Sequence, residues 1–122
     1  MKESGKNYLL TIYRLQQTGI TVHSIDVAKA LDFSKPSVSR AMGLLKDAQF
    51  IEIAKGGAIT LTKTGLKTAK ELEERTDVLT KFLLMTADTD TETAVIDAGK
   101  MAFTIQDATY KGICKFIKEV EG

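Results

Sequence analysis

Residues 32–62, DFSKPSVSRAMGLLKDAQFIEIAKGGAITLT, constrain the fold more than any other stretch. Ser34 is a good helix N-cap, because its side-chain oxygen can accept from a free N–H of the first turn. Pro36 suits that first turn, where its missing N–H is not needed. Val38, Met42 and Leu45 recur at i, i+4 and i+7, so they form one apolar face of a helix from Lys35 to about Ala48. Two short apolar runs follow, Phe50–Ile53 and Ala58–Leu61, separated by AKGG. This spacing predicts a β-hairpin, with Gly56 and Gly57 supplying positive φ.

The flanking sequence reads as helices. NYLLTIYRLQQ has apolar residues too closely spaced for a strand, and its helix ends at Thr18–Gly19. SIDVAKAL predicts a short helix in which Ser24 can accept from the free N–H groups of the first turn and Ile25, Ala28 and Leu31 lie on one face. After the hairpin, Thr62 caps a long helix from Lys63 to about Ala87. Its stripe is Leu66, Ala69, Leu72, Leu79, Phe82 and Leu83, with a polar gap at Thr76. DTDTE breaks the chain, and Thr89 with Glu92 can form a capping box for a helix through Ala102. Thr104 and Asp107 can start a last helix, with Ile113, Phe116, Ile117 and Val120 on one face. The expected fold is mainly α with a small β-hairpin wing: a winged helix-turn-helix domain over 1–70 and a helical domain over 71–122. The long helix from about 63 bridges both.

Charge sharpens this division. The net charge is only +1. Residues 1–70 carry 11 Lys/Arg against 5 Asp/Glu, and residues 71–122 carry 6 against 11. The front is therefore +6 and the back −5. A basic front and an acidic back are expected when only the front meets phosphate. The helix Lys35–Ala48 is the candidate reader of double-stranded DNA. Opposite its core face it shows Pro36, Ser37, Ser39, Arg40, Gly43 and Lys46. Ser34, Ser37 and the first-turn N–H groups can bond phosphate, Lys35 adds charge, and Arg40 can reach a base edge or the backbone. Gly43 would allow close approach, and Lys55 at the hairpin tip can reach a phosphate or the minor groove.

Other functions find little support. An apolar share of 43% and a charged share of 27% fit a soluble globular chain. No eighteen-residue apolar run predicts a membrane span, and MKESGKNYLL lacks the long apolar stretch of a signal peptide. The single cysteine, Cys114, excludes an internal disulfide and reads as a small core or interface residue. A cytoplasmic protein is expected. One His, one Cys, no phosphate-binding Gly-rich loop and no nucleophile elbow argue against an enzyme.

NYLLTIYRL, SIDVAKALDFSKPSVSRAMGLLKDAQFI, ITLTKTGLKTA and ERTDVLTKFL together resemble the DtxR/MntR family of iron- and manganese-dependent transcriptional repressors. The resemblance runs nearly the whole chain, in order, and the ending is similar to the short members without a further SH3-like domain. It implies a homodimer on a palindromic operator, paired through the helices after the wing, with Mn2+ or Fe2+ ordering the dimer. It also implies where ligands should stand. The opening E-D-Y-x-E-x-I-Y places an Asp and a Glu where this chain has Asn7 and Leu10. The R-H of the long helix is Arg75–Thr76 here. The later E-x-x-E-H is GKMAF, so Gly99, Ala102 and Phe103 stand at its ligand positions.

The departure is complete. Leu10, Gly99, Ala102 and Phe103 offer no side-chain ligand, and Asn7 and Thr76 are weak ones. Carboxylates retained without their metal would bury like charges, and apolar replacements remove that penalty. No cofactor is therefore expected, and regulation by another effector stays open. Two alternatives remain: a metal-responsive repressor with rearranged ligands, such as Asp77 or Asp97, and a winged-helix interaction module that does not bind DNA. His23, the sole histidine, reads as a solvated loop residue or a phosphate contact.

Overall fold

The computed structural model describes residues 1–122. The elements are α1 (Glu3–Gln17), α2 (Ser24–Leu31), α3 (Lys35–Asp47), β1 (Ile51–Ile53), β2 (Ile59–Leu61), α4 (Lys63–Thr86), α5 (Thr91–Thr104) and α6 (Asp107–Glu121). The fold is mainly α with a two-stranded antiparallel hairpin. The chain forms two compact units, Met1–Lys70 and Glu71–Gly122, with α4 continuing from the first into the second. No helix is long and apolar enough to cross a membrane.

Large aliphatic side chains build the first unit. Leu9 and Ile12 of α1, Val27 of α2, Val38 and Met42 of α3, and Ile51 and Ile59 of the hairpin are almost wholly buried in one cluster. The i, i+4, i+7 face of α3 points inward as its spacing predicts. The inward face of α2 differs from expectation: Val27 and Ala28 are buried and Ile25 is exposed. Ile25 precedes Val27 by two residues, about 200° of helix rotation, so both cannot face the core. The cap of α2 also moves by one residue. His23 is the N-cap, Ser24 is the first helical residue, and the His23 backbone N–H donates to the Asp26 carboxylate at 2.8 Å. Asp32, in the left-handed region at φ 54°, ends α2.

The hairpin pairs Ile51 with Leu61, Glu52 with Thr60 and Ile53 with Ile59. Only Gly57 in its turn has positive φ, at 89°, so Gly56 does not supply the left-handed turn assigned to it. Val22 adds a bridge that periodicity could not show: its carbonyl accepts from the Ile59 N–H at 2.8 Å. A single isolated residue carries no alternation to detect.

The start of α4 is fastened to the hairpin. The Thr62 hydroxyl accepts from the Gly65 N–H at 3.0 Å, capping the helix, and donates to the Gln49 carbonyl at 2.7 Å. Gly65 approaches so closely that a Cβ there would lie 1.9 Å from the Phe50 carbonyl oxygen. Gly65 and Ala69 take the inward side, which leaves Leu66 exposed instead of on the buried stripe.

The second unit has a thinner core. Leu79, Ala98 and Ala102 are buried together, with Leu83, Met101, Ile105, Tyr110 and Ile113 packed around them. Thr76 is no polar gap: it is buried, and its hydroxyl donates to the Leu72 carbonyl at 2.9 Å. Asp90, not Thr89, caps α5, its carboxylate accepting from the Thr93 N–H at 2.7 Å. Thr89 instead turns its N–H to the Ala87 carbonyl. Helix α5 runs to Thr104, so Thr104 closes α5 and does not open α6. On α6, Ile117 is buried and Ile113 half-buried, whereas Phe116 and Val120 are exposed. Three contacts tie α6 to α4: Arg75 pairs with Asp107, Phe82 meets Phe116 edge to face at 5.9 Å, and Lys81 pairs with Glu121. The Arg75 guanidinium also lies over the Tyr110 ring at 4.6 Å. Burial, then the hydrogen bond with Cys114, pushes the Tyr110 hydroxyl up to about 12.

Candidate nucleic-acid interface

The local sequence sets the geometry of α3. Ser34 ends the turn after α2 in extended backbone, and its hydroxyl accepts from the Ser37 N–H and donates to the Ser37 hydroxyl at 2.9 Å. With Val38, Met42 and Leu45 committed to the core, Lys35, Pro36, Ser37, Ser39 and Arg40 are left exposed at the N-terminal end. No carboxylate pairs with Lys35, Arg40, Lys46 or Lys55. An uncompensated cationic helix start with exposed hydroxyls is suited to phosphate and to base edges.

Not all the proposed contacts gather at one place. Lys46 lies six residues beyond Arg40, about 9 Å along the helix axis. It lines a broad depression of about 560 Å3 with Gln49, Glu52, Thr62 and Lys63, toward the hairpin. Lys55 is exposed in the hairpin turn. Gly43 has open space where a Cβ would stand, so no close backbone approach within the chain explains it.

Two residues join this face that the sequence reading did not assign to it. Ser24 and Ile25, from the start of α2, line a small crevice of about 250 Å3 with Lys35 and Ser39. The available signal was Ile25 itself, an apolar residue out of phase with the buried Val27. His23 is also placed by the fold: its ring lies 3.5 Å from where a Gly57 side chain would begin, beside the hairpin turn.

The positions at which the resemblance implies metal ligands hold other chemistry. Leu10, Thr76 and Ala102 are buried, and Asn7, Gly99 and Phe103 are half-buried. The Thr76 hydroxyl is engaged with its own helix, and the Gly99 position has nothing within 4 Å of a would-be Cβ. Three or more His, Cys, Asp or Glu side chains nowhere gather in a metal-holding arrangement. This donor set does not fit Mn2+ or Fe2+, which require several oxygen or nitrogen ligands at once.

A helix-turn-helix with a following hairpin and an exposed basic α3 defines a winged helix-turn-helix domain. Residues 1–59 match the family model described as the iron dependent repressor, N-terminal DNA binding domain. Over these residues the chain is similar to the iron dependent repressors. It is 23% identical over 118 residues to the diphtheria toxin repressor of Corynebacterium diphtheriae, covering 97% of this chain and 52% of that protein. The fold is shared with the manganese regulator SloR at a TM-score of 0.82 and 22% identity, over 93% of this chain and 53% of SloR. It is also shared with the hypothetical protein SSo2273 of Sulfolobus solfataricus, at a TM-score of 0.74 and 20% identity, over 98% and 91% of the two chains. The chain thus spans about half the length of the diphtheria toxin repressor and of SloR.

Proposed function

We propose that this protein is a DNA-binding transcriptional repressor that holds a palindromic operator as a homodimer, without dependence on Mn2+ or Fe2+. The observation that carries the DNA reading is the exposed Ser34–Arg40 stretch at the start of α3, with no carboxylate paired to Lys35 or Arg40, within a winged helix-turn-helix. Lys35 and the α3 N-terminus hold the backbone, Arg40 reads a base edge, and Ser37 and Ser39 supply short donors. Lys46 and Lys55 add phosphate contacts. Exposed Val95 and Ile96 on α5 and Phe116 and Val120 on α6 favour pairing through the second unit. Metal independence is supported by the donor set: four of the six ligand positions are Leu10, Gly99, Ala102 and Phe103.

A mobility-shift assay against genomic fragments tests the DNA reading. Retention at low salt should weaken as salt rises, with a slope of about −0.9 per phosphate neutralised. Absence of retention at low salt would sink it and favour an interaction module. Metal independence has its own test. Melting temperature and operator affinity are measured with Mn2+, Fe2+, Zn2+ and chelator, because a tightly bound ion stabilises by mass action. No shift is expected. A saturable rise with Mn2+, lost in Asp77→Ala or Asp97→Ala, would overturn it and point to rearranged ligands.

A further inference from the structure

One large apolar side chain stands on the face proposed to meet DNA. Ile25, near the start of α2, is 36% exposed, while Val27 and Ala28 after it are buried. It shares a crevice of about 250 Å3 with Ser24 beside it and with Lys35 and Ser39 of α3. Lys35 and Ser39 are both exposed. They are four residues apart, so they lie on the same side of α3, about 6 Å apart along its axis. Arg40 follows Ser39 directly. An apolar wall therefore continues the polar and cationic start of α3, and core packing does not account for it.

We propose that Ile25 is a specificity-determining residue that packs on the C5-methyl group of one operator thymine. This role rests on the proposed DNA binding and extends it to a residue outside α3. Three points select the occupant. The crevice is smaller than the range of about 300–1,000 Å3 usual for small-molecule pockets, and it has a single apolar wall. Its other walls are a cation and two hydroxyls, which suit the backbone and base edges of a duplex and not an apolar protein surface. In the major groove the thymine methyl is the one apolar group that a base pair presents. With that methyl against Ile25, Ser39 faces the same base pair or its neighbour, and Lys35 meets a phosphate of the flanking backbone. The helix before a reading helix ordinarily crosses the backbone. Here its first turn adds one base to the readout.

The test uses the full chain and a genomic fragment retained in the mobility-shift assay. Each thymine is replaced singly by deoxyuridine, which removes only the methyl group. At one position the parent protein should lose affinity about fourfold, the effect of burying one methyl. The protein is unaltered in this arm, so a change in folding cannot produce the loss. Ile25→Ala should bind the unmodified fragment about fourfold more weakly or worse, and should lose nothing further from that deoxyuridine. Lys35→Ala should instead weaken every duplex alike, lower the salt slope by about one phosphate and keep the deoxyuridine effect. If no deoxyuridine weakens the parent protein more than Ile25→Ala, the role of Ile25 is overturned while DNA binding stands. An equal loss by Ile25→Ala on all duplexes then places Ile25 on the sugar-phosphate backbone. If no fragment is retained even at low salt, DNA binding itself fails and the role of Ile25 fails with it.

Discussion

The two units reach stability by different means. In the first, Leu9, Ile12, Val27, Val38, Met42, Ile51 and Ile59 interlock from five elements, and polar or cationic residues occupy the exposed N-terminal end of α3. In the second, the buried cluster is one leucine with two alanines, and large apolar residues such as Ile96 and Val120 face outward. The charges divide as well, +6 in the first and −5 in the second. A unit with a core of large side chains can give its basic face to a polyanion. A unit of this small size built on one leucine and two alanines has little apolar burial of its own, which the proposed pairing with a second copy would supply.

The strongest way to break the comparison is to damage the first unit where its packing is tightest. Gly65→Ala places a Cβ 1.9 Å from the Phe50 carbonyl oxygen, a backbone atom that cannot swing aside. The expected loss is about 3 kcal/mol or more, the upper end for overpacking. Denaturant unfolding followed by circular dichroism measures it. A loss no larger than that of Gly112→Ala, where a Cβ meets open space, would show that the hairpin and α4 are not rigidly joined there.

Next in size is recognition. Arg40→Ala should weaken operator binding by about 1–3 kcal/mol, five- to 150-fold, and relax preference at one base pair. Its melting temperature should not change, because Arg40 is exposed and has no ionic partner. A uniform loss across sequences would make Arg40 a phosphate contact instead. The second unit is probed by Ile96→Lys. Ile96 is 53% exposed, so the change costs the isolated protomer little. In a dimer paired through α5 it buries an unpaired charge, which costs several kcal/mol. Sedimentation should then show monomer where the parent protein is dimeric. An unchanged dimer would remove α5 from the interface.

The sequence was most informative where a pattern repeats or a residue type is indispensable. The α3 face, its Ser34 cap, the hairpin and the Thr62 start of α4 were all legible, since each follows from spacing or from local cap and turn chemistry. What was not legible depended on distant partners. Ile25 and Leu66 are apolar and in plausible phase, yet Val27 and Gly65 occupy the inward positions because the neighbouring elements approach there. Phe116 and Val120 looked like core for the same reason: apolar periodicity shows that a face is to be covered, not whether the covering residue belongs to the same chain. Val22 gave no signal because its strand is one residue long. The exposed face of α3 was legible as a set of residues. The crevice joining it to Ser24 and Ile25 was not, because it forms only when two helices cross.

The smallest predicted effect contrasts the two side-chain caps. Helix α3 starts at a neutral hydroxyl, Ser34, and α5 at a carboxylate, Asp90. A neutral cap leaves the positive end of α3 available to an external anion, while Asp90 compensates the end of α5 from within. The backbone hydrogen bond from Thr93 holds the Asp90 carboxyl below its usual range. The folded form then binds fewer protons than the unfolded chain, whose carboxyl titrates near about 3.9. The stabilisation is therefore complete above that pH and is lost as pH falls through the lower, folded value. Asp90→Asn keeps an acceptor at the cap but cannot titrate. It should melt close to the parent protein at neutral pH and show a shallower fall in melting temperature below pH of about 4. Ser34→Asp makes the reciprocal change: a carboxylate now stands at the start of α3. It should hold or raise the melting temperature while weakening operator binding at low salt. If Ser34→Asp leaves operator binding untouched, the start of α3 does not meet phosphate, and the neutral cap reflects local helix geometry alone.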